Sequence, residues 1–525
     1  MFRRNRAFAL AGAIAVLATS AALAAPGTTS TGPSTSTKPY VLPVGDGVSI
    51  ESLLTVGDGA AGNGYEMVGV PDGLGLVRPE KGRNRDFTLL MNHEIFDFQG
   101  AVRRHGRRGS FVSELRIDSG THAVEAGQDL IDPDIRYWDY PTGTYGPTAS
   151  TGGVNPRDPS DTFLAQTAEF SRFCSASITD WNQLFNHRTK NGYQGQVYFA
   201  NEENGEPGRL FGVTTDGKAQ QLPRAGLFSW ENTLAAQNRT DTTLLVGNED
   251  TGTGQLRAYV GTKQRTGNPF DRAGLTNGEL FVLDLADEAV STDAEFRATY
   301  GKGQPVEFGL GADEQVEWDR SSARQQVDAA AKGLTLNRIE DGNFDPRHRN
   351  DYYFVTSEGS PGVIPDEPGT PRDGGGLWRL RFDDVDRPAA GGTIELLLDG
   401  SEAPYIYKPD NITIDEKGNL LIQEDAGNNA YLPRIVAYDI DSGARGVLAR
   451  FDHEVFHPDG ASFLTQDEES SGIIDARDAL GKGWFLFDAQ AHTGFREPPP
   501  FPRVEHGQLL AMHVRKFKDV YTIDD

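Results

Sequence analysis

The sequence predicts an all-β chain closed into a six-bladed β-propeller, with long inserted loops and a few short helices. Two recurrent strand types and 61 glycines among frequent turn signals carry that expectation. One type starts at or near a glycine or turn and then alternates apolar with polar residues, beginning at Gly208, Gly254, Gly278, Gly376, Pro433 and Gly507. The other is an apolar run that stops abruptly in polar or acidic residues, at Glu94, Asn204, Asp250, Gly359, Gly427 and His492. Each type occurs six times. A strand that cannot bury its face alone needs neighbours, and the irregular spacing favours a closed ring of divergent blades over a regular solenoid. A pair of β-sandwiches or a barrel is the competing architecture. The one persuasive helix runs from Ser321 to Lys332, opened by serines suited to capping and closed by Gly333. In a propeller, equivalent strand ends meet near the central channel, so residues far apart in sequence would form one site.

The chain starts with Arg3, Arg4 and Arg6 ahead of an apolar run from Ala7 to Leu23, and Ala22-Leu23-Ala24 supplies a small-x-small cleavage signal. Residues 1–25 therefore read as a secretory signal peptide. The arginine pair suits a twin-arginine signal, but no serine precedes it and Phe8 comes late, which leaves the general export route equally open. The segment 26–39, rich in Thr, Ser, Pro and Gly, reads as a disordered linker, and 40–525 as a single catalytic propeller domain. No later stretch approaches the ~18 continuous apolar residues of a membrane span. The expectation is a monomer exported to the periplasm or beyond, without a membrane span.

A formal charge of −26 argues against nucleic acid or an anionic membrane as a partner. It also poses a problem, since acidic clusters reject anionic substrates unless bound cations invert the local field. The single cysteine, Cys174, excludes an internal disulfide. Two fates are open to it: a small buried hydrophobe, or a metal-bound thiolate protected from an oxidising compartment.

Two motifs lose their usual meaning in context. HEVFH, His453 to His457, matches a zinc-protease pattern, but that chemistry needs both histidines on one sustained helix, and Pro458-Asp459-Gly460 follows at once. DIDSG, from Asp439, lacks the downstream glutamate of a calcium loop and suits a hairpin turn. No serine-hydrolase elbow, phosphate loop or dinucleotide fingerprint is present. What remains is a set of acidic and amide clusters at strand ends: NHE at Asn92, NEEN at Asn201, WEN at Trp230, GNED at Gly247, RIED at Arg338, KPDN at Lys408, QED at Gln423 and DEESSG at Asp467. Any one reads as a solvated turn. Together they would supply the six to eight oxygen ligands that a hard cation takes.

In that order, NHE, the lone Cys before a strand, EEN, the aromatic-Glu pair of LFSWENT, R-x-E in LNRIEDGNFDP, PDN with its G-N-L turn, and E-x-x-G near the C-terminus resemble the PhoX family of alkaline phosphatases. The resemblance implies a six-bladed propeller hydrolysing small phosphate monoesters with a mixed Fe(III)/Ca2+ cluster. It implies that Cys174 is the iron thiolate with Glu231 as its carboxylate partner, and that Glu202 or Glu203, Glu340, Asp410 and Glu469 hold the other metals, with Glu94 a further ligand. Arg338 corresponds to the phosphate-binding, catalytic arginine, and Asn411 contacts substrate or orients its neighbour. The chain departs from the family in having Arg172-Phe173 before the cysteine, an inserted segment with His187 and Arg188, Trp230 in place of a histidine, and Glu469-Ser470-Ser471-Gly472 for E-x-T-G. Other calcium-dependent propeller hydrolases, such as a lactonase or a phytase-like enzyme, and a calcium-stiffened binding propeller are the alternatives.

Overall fold

A computed structural model describes residues 27–78, 86–363, 371–494 and 502–522. The expected signal peptide, and Pro26 at the start of the expected linker, lie outside them. Six antiparallel sheets are arranged around one axis. Blade 1 comprises Pro71–Val77, Asp86–His93, Phe111–Asp118 and Val124–Asp129. Blade 2 comprises Phe173–Ile178, Val197–Glu202, Leu210–Thr214 and Ala219–Gln221. Blade 3 is built on Trp230–Ala235, Thr242–Glu249, Arg257–Thr262 and Glu279–Val282. Blade 4 is built on Ile339–Phe344, Asp351–Thr356, Gly376–Phe382 and Gly392–Leu398. Blade 5 takes Pro409–Ile414, Asn419–Glu424, Arg434–Asp439 and Arg445–Phe451, and blade 6 takes Glu468–Asp475, Trp484–Ala491 and His506–Val514. The first strand of each blade lies innermost and packs against the first strands of both neighbours, which closes the ring.

The two chain ends seal it. Val48–Thr55 pairs antiparallel with His506–Val514 as the fourth strand of blade 6, and Val41–Pro43 pairs with the outer strand of blade 5. The segment expected as a disordered linker contributes as well: Thr28–Thr31 runs parallel to Val48–Thr55, and Ser52 Oγ donates to the Thr37 carbonyl at 2.7 Å. Its Thr/Ser composition suggested disorder, yet an open sheet edge offers a ladder to any extended chain.

The core is divided. Each of the six blade–blade junctions has its own apolar cluster, such as Leu74, Leu89, Leu486 and Leu509 between blades 1 and 6, or Tyr353, Val355, Ile412 and Ile422 between blades 4 and 5. Second strands are covered on both faces, so Val197–Glu202, Asp351–Thr356 and Asn419–Glu424 are buried at every residue. That is why they read as continuous apolar runs rather than alternating ones. Five short α-helices are present among the described residues, the longest Ser322–Lys332 with Ser321 as its cap. HEVFH forms a single turn, His453–Phe456, capped by Asp452, and the two imidazoles stack with centroids 4.3 Å apart.

Neighbouring inner strands approach closely where they carry small residues. A Cβ added to Gly73 of blade 1 would lie 2.3 Å from the Ala176 backbone nitrogen of blade 2. Gly73→Ala should therefore force the blades apart and destabilise the protein by about 1–3 kcal/mol. A lowered melting temperature in calorimetry checks this, and an unchanged one would show that the junction yields freely.

Candidate metal centre

The second residue of the inner strand is Asp72, Cys174, Glu231, Glu340, Asp410 and Glu469 in blades 1 to 6. In blades 1 to 5 the cause of this shared placement is a shared β-bulge. Three steps along the inner strand oppose two along the second, as in Pro71↔His93 followed by Leu74↔Met91, or Phe173↔Glu202 followed by Ala176↔Ala200. Blades 3, 4 and 5 repeat it at Trp230, Ile339 and Pro409. Such a bulge re-aims side chains at the end of a sheet. Three triads at the axis have ligand atoms all within 4.8 Å of one another: Asp72, Glu94 and Cys174; Cys174, Glu203 and Glu231; Glu231, Glu340 and Asp410. They share members, so they form one continuous arc of acid and thiol.

A second tier comes from the ends of the second strands. The N–H groups of Glu94, Glu203, Asp250, Ser357, Asp425 and His492 donate to the carbonyls of Val70, Arg172, Ser229, Arg338, Lys408 and Asp467 at 2.8 to 3.1 Å, one pair per blade. Four of those carbonyl residues, Val70, Arg172, Arg338 and Lys408, have φ between 42° and 52°. Side chains rarely adopt this region, and four equivalent occurrences mark a conformation that the surrounding ladder imposes. Three of the four carry the cations of the mouth. Each reaches back to the preceding blade: Arg172 bonds Glu94 at 2.5 Å, Arg338 bonds both oxygens of Asp250 at 2.9 and 2.8 Å, and Lys408 lies 3.9 Å from Glu358. Arg172 also bonds Glu203, and Arg338 lies 3.2 Å from Glu340.

Of the residues expected from the sequence, Cys174, Glu203, Glu231, Glu340, Asp410 and Glu94 lie in this arc, and Glu469 follows at the equivalent position of blade 6. Glu202 does not. Both its oxygens are forked by Arg209, at 2.5 and 2.7 Å, in a fully buried pair. Adjacent residues of a strand project oppositely, so of Glu202 and Glu203 one faces the third strand and the other the mouth. Glu249–Arg257 and Glu424–Arg434 repeat the buried pair in blades 3 and 5. Asn411, expected to contact substrate, is buried, with its carboxamide oxygen accepting from the Gly472 N–H at 3.3 Å across to blade 6. It belongs to a layer that stitches inner strands together, with Asn232 donating to Ser175 and Asp341. Sequence reasoning missed Asp72, Asp250, Asp425 and Arg172. Asp250 and Asp425 end the clusters GNED and QED, and counting to a common position along each second strand would have found them. Asp72, in a PDG turn signature, had no such signal.

The electrostatics of the arc favour either protonation or a bound cation. Burial first, then Asp72, pushes the Cys174 thiol well above its usual range. Burial first, and then repulsion, raise Asp72, Glu231, Glu340, Asp410 and Glu469 as well, the repelling neighbours being Glu94, Asp410, Asp250, Asp425 and Asp425 respectively. Burial opposes the charge of Arg172, but Glu94 and Glu203 hold it charged, and Glu340 does the same for Arg338. One Glu231 carboxylate oxygen is buried with no hydrogen-bond partner among the described residues. An orphaned oxygen beside a thiol and further carboxylates fits bound metal: hard oxygens around most of the arc, one soft sulfur at Cys174. HEVFH, on the loop after blade 5, is no part of it.

The family model of alkaline phosphatase PhoX matches residues 212–469. Among solved structures, PhoX of Pseudomonas fluorescens, in a complex with vanadate, a transition state analogue, is 12% identical, with 91% of this chain and 96% of that one covered at a TM-score of 0.59. A luciferin-regenerating enzyme is 11% identical over 85% of this chain and 92% of its own, at a TM-score of 0.31. Synechocystis apocarotenoid oxygenase is 10% identical over 80% and 87%, at 0.31. No curated protein matches the sequence. Residues 212–469 thus match the PhoX family of alkaline phosphatases, and the chain shares the propeller fold of the Pseudomonas structure along nearly its whole length.

Proposed function

We propose that the chain is an exported enzyme that hydrolyses small phosphate monoesters as a monomer, with iron and calcium held by the six-blade arc. The observation that carries this reading is the convergence of five carboxylates and one thiol beneath two arginines set at equivalent blade positions. Cys174 with Asp72, Glu94, Glu203 and Glu231 would hold iron. Glu340, Asp410, Glu469 and the neighbouring Asp425 would hold the harder calcium ions. Bound there, Fe(III) and Ca2+ would supply Lewis acidity toward phosphoryl oxygens and an acidified water.

The chain itself does the gripping. Nε and Nη2 of Arg338 are clamped by Asp250, and those of Arg172 by Glu94, while Nη1 of each has no protein partner among the described residues. The clamp fixes the plane of each guanidinium and leaves one donor nitrogen for the phosphoryl group. Blades 2 and 4 flank Glu231 of blade 3, so the two cations approach from opposite sides. With metals bound beneath these arginines, an acidic protein would present positive charge to an anionic ester.

Elemental analysis of the purified enzyme should find both iron and calcium, and active enzyme without iron would end this reading. Carboxyl groups whose folded pKa is raised hold protons that the unfolded chain releases. Their contribution to stability is present below the ordinary carboxylate range and is lost as pH rises through the elevated folded values. The chelated protein should thus lose melting temperature steadily from about pH 5 upward, while the metal-loaded protein holds its own. A chelated protein that gains stability with pH would contradict the repulsive arc.

Cys174→Ser should lose iron while keeping its circular dichroism, since the six junction cores exclude this thiol. A variant that retains iron and rate would leave Cys174 a buried small side chain. Arg338→Lys should lower turnover roughly ten-fold or more at unchanged metal content, because a point charge cannot reproduce the clamped fork. Inhibition by inorganic phosphate should weaken in parallel. Wild-type kinetics in Arg338→Ala would remove this residue from the site.

A further inference from the structure

Directly after Glu94, the rim of the mouth carries two phenyl rings that no core claims. Phe96 and Phe98 are 42% and 66% exposed, and their rings stack with centroids 5.6 Å apart at 11°. Single exposed apolar residues are ordinary on protein surfaces. Among the described residues, however, this is the one contact between large apolar rings in which both are exposed.

The turn that presents them is held rigidly. Ile95 is buried against Val68, Val70, Phe111 and Val504. The Phe96 N–H donates to Gln99 Oε1 at 2.7 Å, and the Gln99 N–H returns to the Phe96 carbonyl at 2.9 Å. The Arg172 N–H donates to the Ile95 carbonyl at 2.8 Å, which ties the turn to the phosphate-gripping strand of blade 2. Above Phe96, at 5.8 Å from its centroid, stands the Arg172 guanidinium. A cation over the ring face holds the ring at the edge of the mouth.

An ester whose phosphoryl group is gripped by Arg172 must send its organic group outward past that arginine. We propose that the Phe96–Phe98 pair is a subsite for a flat, apolar leaving group, so that the enzyme favours aryl over small hydrophilic phosphate esters. The proposal rests on the phosphatase reading above. A flat group laid on the outer ring would extend a parallel stack of two rings to three, with offset-stacking geometry available at each step.

The test uses the metal-loaded full chain and two non-hydrolysable probes, phenylphosphonate and methylphosphonate, titrated calorimetrically. Wild type should bind phenylphosphonate on the order of ten-fold more tightly. Phe96→Ser/Phe98→Ser should abolish that preference, and Phe96→Tyr should retain it. Should the double variant fold poorly, Phe98→Ser alone, at the more exposed ring, should lose most of the preference. In turnover, the loss should fall on KM for 4-nitrophenyl phosphate and spare glycerol phosphate. Equal affinities in wild type, or a preference that survives both substitutions, would overturn the subsite. Binding of neither probe would show that the phosphate grip itself is wrong, and the subsite would fall with it.

Discussion

Like charges crowded at the axis of a closed ring are the constraint on which the rest of this structure depends. Six inner strands each bring an acid or a thiol to the same level, and second strands bring a further tier of carboxylates. In a desolvated setting such groups cannot all ionise without counter-charge. The protein supplies part of it through Arg172, Arg338 and Lys408, whose left-handed backbone sets them at the mouth. The remainder fits metal ions, and binding them would couple folding of the ring to assembly of the centre.

The propeller suits this task because its stability does not reside at the axis. Hydrophobic burial is distributed over six junctions, and the chain ends are sealed by a ladder between Val48–Thr55 and His506–Val514. The axis can therefore carry polar, mutually repelling residues without a central core to be disrupted. Buried pairs such as Glu202–Arg209 and Glu424–Arg434 sit one residue back from the mouth and brace second strands against third strands. Removing one partner of such a pair leaves a buried, uncompensated charge, so these glutamates are structural in spite of their sequence proximity to the site.

Much of the architecture was legible in the residues. All six second strands were visible, because burial on both faces makes them long apolar runs with an abrupt polar end. Five of the six alternating strands are third strands; the one at Gly278 is the fourth strand of blade 3, and the third strand of blade 1, FVSELRID, was too polar to stand out. The inner strands did not stand out as strands, although the clusters they carry, such as WEN and KPDN, did. Sequences such as PDGLGLV, FCSASI and IEDGNF are short, small and polar, since near the axis close approach matters more than apolar area.

The sequence by itself determined the chemistry available: one thiol, many carboxylates at strand ends, an arginine two residues before Glu340, and the repeat that implies a ring. Tertiary structure decided which of these side chains meet. Only the bulge after the first residue of the inner strands in blades 1 to 5, together with the matching second residue in blade 6, puts Asp72 level with Cys174 and Glu469. Only the strand's alternation sends Glu203 to the mouth and Glu202 to Arg209. Both outcomes depend on register, which arises from pairing between distant segments and cannot be read from either segment alone.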